Sequence, residues 1–311
     1  MGNDKKILLD IQDRQKTFES IANRLELLDE GFRALYADYS HHIEVTNGKQ
    51  HDILRLKENI DYRLFSSKFH LELLLRQHFA IEGRIQEIFR DDPGKVLNPV
   101  YPSHPLFDYC EREITSVFDS IIFHLASVYD YLSAAINFIC NKKDKSITKW
   151  SQLAKSCRDR ENTYSGKKIA SVIISENENF VDKLYRYRSR VIHERSEINA
   201  ISLSLKIASS KAVVKFISTD GLIKSFPSLK EKAKTHNLTV AFTSEWLIHA
   251  TIDSIVNILF SMKEEMEQMS TFPDHIADAD FILLYTDPKT GHAGPASKPL
   301  WENLKNNINK R

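Results

Sequence analysis

Residues 106–140 read LFDYCEREITSVFDSIIFHLASVYDYLSAAINFIC, thirty-five residues without a glycine or a proline. Tyr109, Ile114, Val117, Phe118, Ile121, Leu125, Val128, Leu132, Ile136 and Ile139 recur mostly at intervals of three and four. That spacing puts them on one face of a helix with 3.6 residues per turn, so the segment predicts a long core helix. With only nine glycines and nine prolines in the whole chain, long stretches lack punctuation, which favours a mainly α protein.

The flanking sequence agrees. Upstream, Ile7, Ile11, Phe18, Ile21, Leu25, Leu28, Phe32, Leu35 and Tyr36 follow helical spacing, as do Ile53, Leu56, Ile60, Leu64, Leu71, Leu75, Phe79, Ile85 and Ile88. The stretch SHHIEVTNGKQH between them holds an Asn-Gly pair and reads as a turn, so residues 1–92 predict an N-terminal helical hairpin. His41, His42 and His51 fall in or near this turn beside Glu44 and Asp52, and we read them as solvated turn residues, with no metal site assigned. Four prolines and one glycine then crowd residues 93–105. Proline lacks an amide donor and restricts the residue before it, so this stretch predicts a linker.

Downstream, residues 141–168 carry nine Lys or Arg against three acidic residues, with a short helix expected over 150–157. A further helix is expected over about 176–196. AISLSLKIASSKAVVKFIST alternates apolar and polar positions around Ser209 and Ser210, which predicts a small β-hairpin at about 200–217. Helical spacing returns over 245–269, closing a helical domain of residues 106–270. Residues 271–311 read as a loop-like C-terminal tail.

Composition excludes several classes. Lys plus Arg number 43 and Asp plus Glu 42, so no global field marks a nucleic-acid or membrane binder, and any such surface must be local. Three cysteines, Cys110, Cys140 and Cys157, lack CxxC spacing and read as buried thiols in a reducing compartment. The charged N-terminus does not resemble a signal peptide, so a cytoplasmic protein without a membrane span is expected. The sequence contains no GxxxxGK loop, no GxGxxG after a strand, no HExxH and no GxSxG.

One segment does suggest chemistry. Residues 185–196, YRYRSRVIHERS, place four arginines and a histidine on the helix expected over 176–196. Phe180, Leu184, Tyr187 and Val191 make its apolar stripe. Ser189 and His193 stand one turn apart on a flank of that stripe, Arg186 lies within roughly 20° of His193, and Arg188 lies about 140° from it. A basic, solvated helix face explains the charge alone. The order Arg188, Ser189, His193, with four residues between the arginine and the histidine, is more particular.

This order resembles the R-x(4–6)-H signature of the HEPN superfamily, in which a long amphipathic helix precedes the motif helix. The resemblance covers residues 106–268 and leaves the N-terminal hairpin unexplained. Many members carry asparagine where this chain has Ser189, and Arg186 also satisfies the permitted spacing.

The resemblance implies a HEPN-like helical bundle and a metal-independent endoribonuclease without a cofactor, in the setting of a toxin or an antiviral defence component. It implies catalytic roles for Arg188, His193 and Ser189, with Arg186, Arg190 and Glu194 as substrate-binding residues. The implied partners are RNA and a second copy of the chain, joined through the motif helix, with a regulatory protein as a further candidate. Residues 141–168 would be a basic rim for RNA or a solvated loop. The alternative is a non-catalytic scaffold of the same fold that binds RNA, a nucleotide or a protein.

Overall fold

Apolar residues at helical spacing form helices in the computed structural model of the chain, which describes residues 6–43, 52–92, 94, 96, 105–140, 148–159, 164–193, 198–206, 211–270, 284–286 and 293–309. The protein is mainly α. In chain order the elements are β1 (Ile7–Leu9), α1 (Arg14–His42), α2 (Asp52–Asp91), α3 (Pro105–Cys140), α4 (Trp150–Arg158) and α5 (Lys168–Glu176). A π turn (Asn177–Val181) leads into α6 (Asp182–His193), followed by β2 (Ile198–Lys206), β3 (Lys211–Ser218), α7 (Asp220–Ser225) and α8 (Pro227–Lys232). The chain continues through β4 (His236–Leu238), α9 (Val240–Gln268), β5 (Leu284–Thr286), β6 (Ala293–Pro295) and α10 (Lys298–Asn307).

The chain packs as two compact units, each drawn from three separate stretches. The first comprises Met1–Thr17, Ser66–His124 and Lys183–Ile248. Its core includes Leu71, Ile85, Ile114, Phe118, Ile121, Leu184 and Tyr187, all buried. Full burial of such a side chain contributes about 1.5–3 kcal/mol, so these residues hold α2, α3 and α6 together. β2 and β3 pair antiparallel from Lys206↔Lys211 to Ile198↔Ser218, with an irregularity between Ile198 and Ala200. The hairpin is tied to α2 by Glu82, whose Oε1 accepts from the Val214 amide at 2.9 Å.

The second unit comprises Phe18–Phe65, Leu125–Asp182 and His249–Arg311. Leu28, Leu35, Leu132, Ile136, Ile252, Ile255 and Leu259 are buried in it. Trp150 is also buried, its ring 5.2 Å from that of Tyr129. By length and composition α3 is apolar enough to cross a membrane, yet 67% of its most apolar window is buried inside the protein. All three cysteines are free and buried. Burial pushes the thiols of Cys140 and Cys157 up to about 12 and raises that of Cys110, which keeps them protonated and unreactive.

Several elements depart from the sequence expectation. Ile7 is not part of the first helix: it lies in β1, which pairs parallel with β4, and α1 begins only at Arg14. Asp13 sets that start, its Oδ1 accepting from the Lys16 amide at 3.1 Å. The helix expected from 245 begins instead at Val240, because Thr239 Oγ1 accepts from the Phe242 amide at 3.1 Å as an N-cap. The helix expected from 176 starts earlier, since α5, the π turn and α6 form one unbroken helical run from Lys168 to His193. The C-terminal stretch holds α10, with Trp301 and Leu304 buried. Phe79 and Tyr109 are 48% and 57% exposed, each covered by an arginine, Arg14 and Arg84 respectively. Most of the Pro-rich stretch 93–105, and residues 44–51 with His51 and Glu44, lie outside the described residues.

A candidate anion-binding site on helix α6

Helix α6 follows directly from the π turn, at which Asn177 Oδ1 accepts from Trp150 Nε1 at 2.9 Å. Single π turns inside α-helices recur at functional positions. From Asp182 to His193 the helix is regular, so Arg188 and His193 stand about 140° apart around its axis. Leu184 and Tyr187 face the core, and the Tyr187 ring meets Phe118 at 6.3 Å.

The arginines divide into three situations. Arg186 is exposed. Arg188 is half-buried, with its guanidinium carbon 4.8 Å from the centre of the Phe123 ring. Its Nε is buried without a hydrogen-bond acceptor, and among the described residues no carboxylate pairs with it. Arg190 lies over Tyr187 at 4.8 Å and also covers Gly221, where an added Cβ would come within 2.5 Å of both Nη atoms. Ser189 is exposed. His193 is the last described residue of α6; its side chain, and all of Glu194, lie outside the described residues.

The basic segment is largely occupied with carboxylates where it is described. Arg158 pairs with Glu178 at 3.2 Å, Lys167 with Glu265 at 2.5 Å and Lys168 with Glu264 at 2.5 Å. At the other histidine cluster, His41 and His42 meet edge to face at 4.7 Å, and His42 Nδ1 lies 3.0 Å from Ser270 Oγ.

The fold also brings to Arg188 residues that no motif marks. Phe123 carries its guanidinium, His124 follows Phe123 on α3, and the His124 ring lies 5.1 Å from that of His70 on α2. These positions belong to three helices far apart in sequence. The only local signal was an aromatic residue beside a histidine, Phe69-His70 and Phe123-His124, occurring on two predicted helices.

Chemically, Arg188 offers a guanidinium held by a ring, with no counter-carboxylate among the described residues. A guanidinium so placed can donate paired hydrogen bonds to a phosphate or carboxylate without first breaking an ion pair. No protein-family model, no curated protein and no solved structure matches the chain.

Proposed function

We propose that the chain is an endoribonuclease of the HEPN type, cleaving RNA without a metal through Arg188 and His193. The observation that carries this reading is Arg188, steadied on Phe123 with no carboxylate partner among the described residues, on the helix that also carries His193. RNA contains its own nucleophile. A base removes the 2′-hydroxyl proton, the oxygen attacks the adjacent phosphorus, and an acid protonates the departing 5′-oxygen. The products are a 2′,3′-cyclic phosphate and a 5′-hydroxyl.

Imidazole has an ordinary pKa of about 6.5, which suits His193 to either proton transfer near neutral pH. Arg188 would hold the phosphoryl oxygens as negative charge develops on them. Ser189, exposed one turn before His193, would orient the imidazole or bind a phosphate oxygen, and Arg186, Arg190 and Glu194 would flank the strand. With about 140° between them around one helix, Arg188 and His193 start from different faces. A second copy of the chain, facing the first across α6, would bring the arginine of one subunit to the histidine of the other.

The test is cleavage of single-stranded RNA in EDTA by wild type, Arg188→Ala and His193→Ala. Cleavage in chelator that leaves a cyclic phosphate and is lost in both variants supports the reading. Equal cleavage of DNA of the same sequence overturns it, since DNA lacks the attacking hydroxyl. A folded dimer that binds RNA without cutting it points to the scaffold.

A further inference from the structure

Four rings and one guanidinium follow one another across three helices of the first unit. Phe69 and His70 meet at 5.8 Å, His70 and His124 at 5.1 Å, and His124 and Phe123 at 5.6 Å. The guanidinium carbon of Arg188 closes the row, 4.8 Å from the centre of Phe123. Phe69 is 47% exposed and Phe123 42% exposed, although a fully buried Phe gains about 1.5–3 kcal/mol. His70 is fixed in orientation: its Nδ1 donates to the Ser66 carbonyl at 2.7 Å, which leaves Nε2 as the acceptor of the neutral ring.

The row defines what can lie on it. Rings at the surface take flat π-systems, and a guanidinium without a carboxylate takes an anion. A membrane surface supplies the anion without the flat rings. A nucleic-acid strand supplies both in every repeat, since each base has a π-face and each linkage a charge. The bases must be unpaired, because in a duplex their faces are occupied by their neighbours in the stack.

We propose that Phe69, His70, His124 and Phe123 form a stacking platform for unpaired bases of an RNA strand whose phosphate is held at Arg188. This rests on the reading of Arg188 as the phosphate-binding residue, but it concerns binding rather than cleavage, so the two fail separately.

The experiment is fluorescence anisotropy of the full chain with a labelled 2′-O-methyl oligonucleotide, which the 2′-hydroxyl mechanism cannot cut, as a single strand and as a duplex at one salt concentration. Phe69→Leu and Phe123→Leu keep an apolar side chain and remove the ring, and Phe123→Trp restores a larger one. The expected result is single-strand binding weakened by about 5- to 150-fold for each ring that stacks a base, recovered in Phe123→Trp, with the duplex bound more weakly than the single strand. Circular dichroism and thermal midpoints establish that the variants are folded.

Unchanged single-strand affinity in both folded leucine variants overturns the platform, as does a duplex bound as tightly as the single strand. Ring substitutions that shift the monomer–dimer equilibrium without changing oligonucleotide affinity also overturn it, assigning the rings to a protein interface. Ring-dependent binding by a wild type that never cuts unmodified RNA supports the platform and removes the ribonuclease reading alone.

Discussion

Trp150 Nε1 donates to Asn177 Oδ1 at 2.9 Å, and Asn177 is the first residue of the π turn that leads into α6. Both side chains are buried, so neither group has water to fall back on. Removing the acceptor leaves an indole N–H unsatisfied at a cost of about 1–3 kcal/mol. Asn177→Ala should therefore lower the free energy of unfolding by that amount in urea titrations. Combining Asn177→Leu with Trp150→Phe removes donor and acceptor together, and should cost less than the sum of the two single variants.

Arg188 gives a contrast between stability and function. Its described interaction is the Phe123 ring, at 4.8 Å, with no carboxylate partner among the described residues. A cation–π contact is worth about 0.5–1 kcal/mol when exposed and about 2 kcal/mol when desolvated, so at this half-buried site Arg188→Met should change stability by about 2 kcal/mol or less. The same variant should abolish RNA cleavage. Arg188→Lys keeps the charge but loses the planar fork, and cleavage should fall by about tenfold or more, the factor that corresponds to 1.4 kcal/mol. A large loss of stability in Arg188→Met, read from its thermal midpoint, would make the residue structural.

The long helices were legible because their periodicity is local: α3 spans Pro105–Cys140, where the apolar pattern runs, and α4 begins at Trp150 as expected. Elements that depend on distant partners were not. β1 exists through pairing with β4, some 229 residues away in register. α10 is short, and its anchor is Asp38, which accepts from Trp301 Nε1 at 2.6 Å across 263 residues. Phe79 and Tyr109 fit the apolar period yet lie outside, because a periodic pattern does not distinguish a core position from one covered by an arginine stem and head. At the candidate site, Arg188 and His193 were visible as a spaced pair on one helix. His70 and His124 were invisible because only the packing of α2 against α3 brings their rings together.

Asp38 should make stability depend on pH in an unusual direction. Burial raises its carboxyl to about 6, against the opposing effect of donors from Ser297 and Trp301. The unfolded side chain titrates near 3.9, so between about pH 4 and 6 the folded state holds a proton that the unfolded state has lost. This group's contribution is fully present below about pH 4 and declines as pH rises through 6, by roughly 1.4 kcal/mol per unit across that window. Asp38→Asn removes the titration. The difference in unfolding free energy between wild type and Asp38→Asn, measured in urea from pH 4 to 7, should shift against wild type with rising pH and level off above 6. A flat difference across the range would show that Asp38 does not titrate there.

Glu82 should act in the opposite sense and at lower pH. Burial alone would raise its carboxyl, but His78, whose Nε2 lies 3.5 Å from Glu82 Oε1, the hydrogen bond from the Val214 amide and the charge of Lys215 together outweigh it and hold the group below its ordinary value. The contribution is therefore fully present above the unfolded pKa of about 4.3 and is lost as pH falls through the lower folded value. Glu82→Gln retains an oxygen for the Val214 amide and loses only the charge. It should cost about 1 kcal/mol at pH 6, the difference between a charged and a neutral hydrogen bond, and nothing once the wild-type carboxylate is protonated. Glu82→Leu leaves that amide without its acceptor, so hydrogen exchange at Val214 should accelerate at every pH above the folded value. If exchange there matches wild type, the bond between Glu82 and β3 is not what fastens the hairpin to α2.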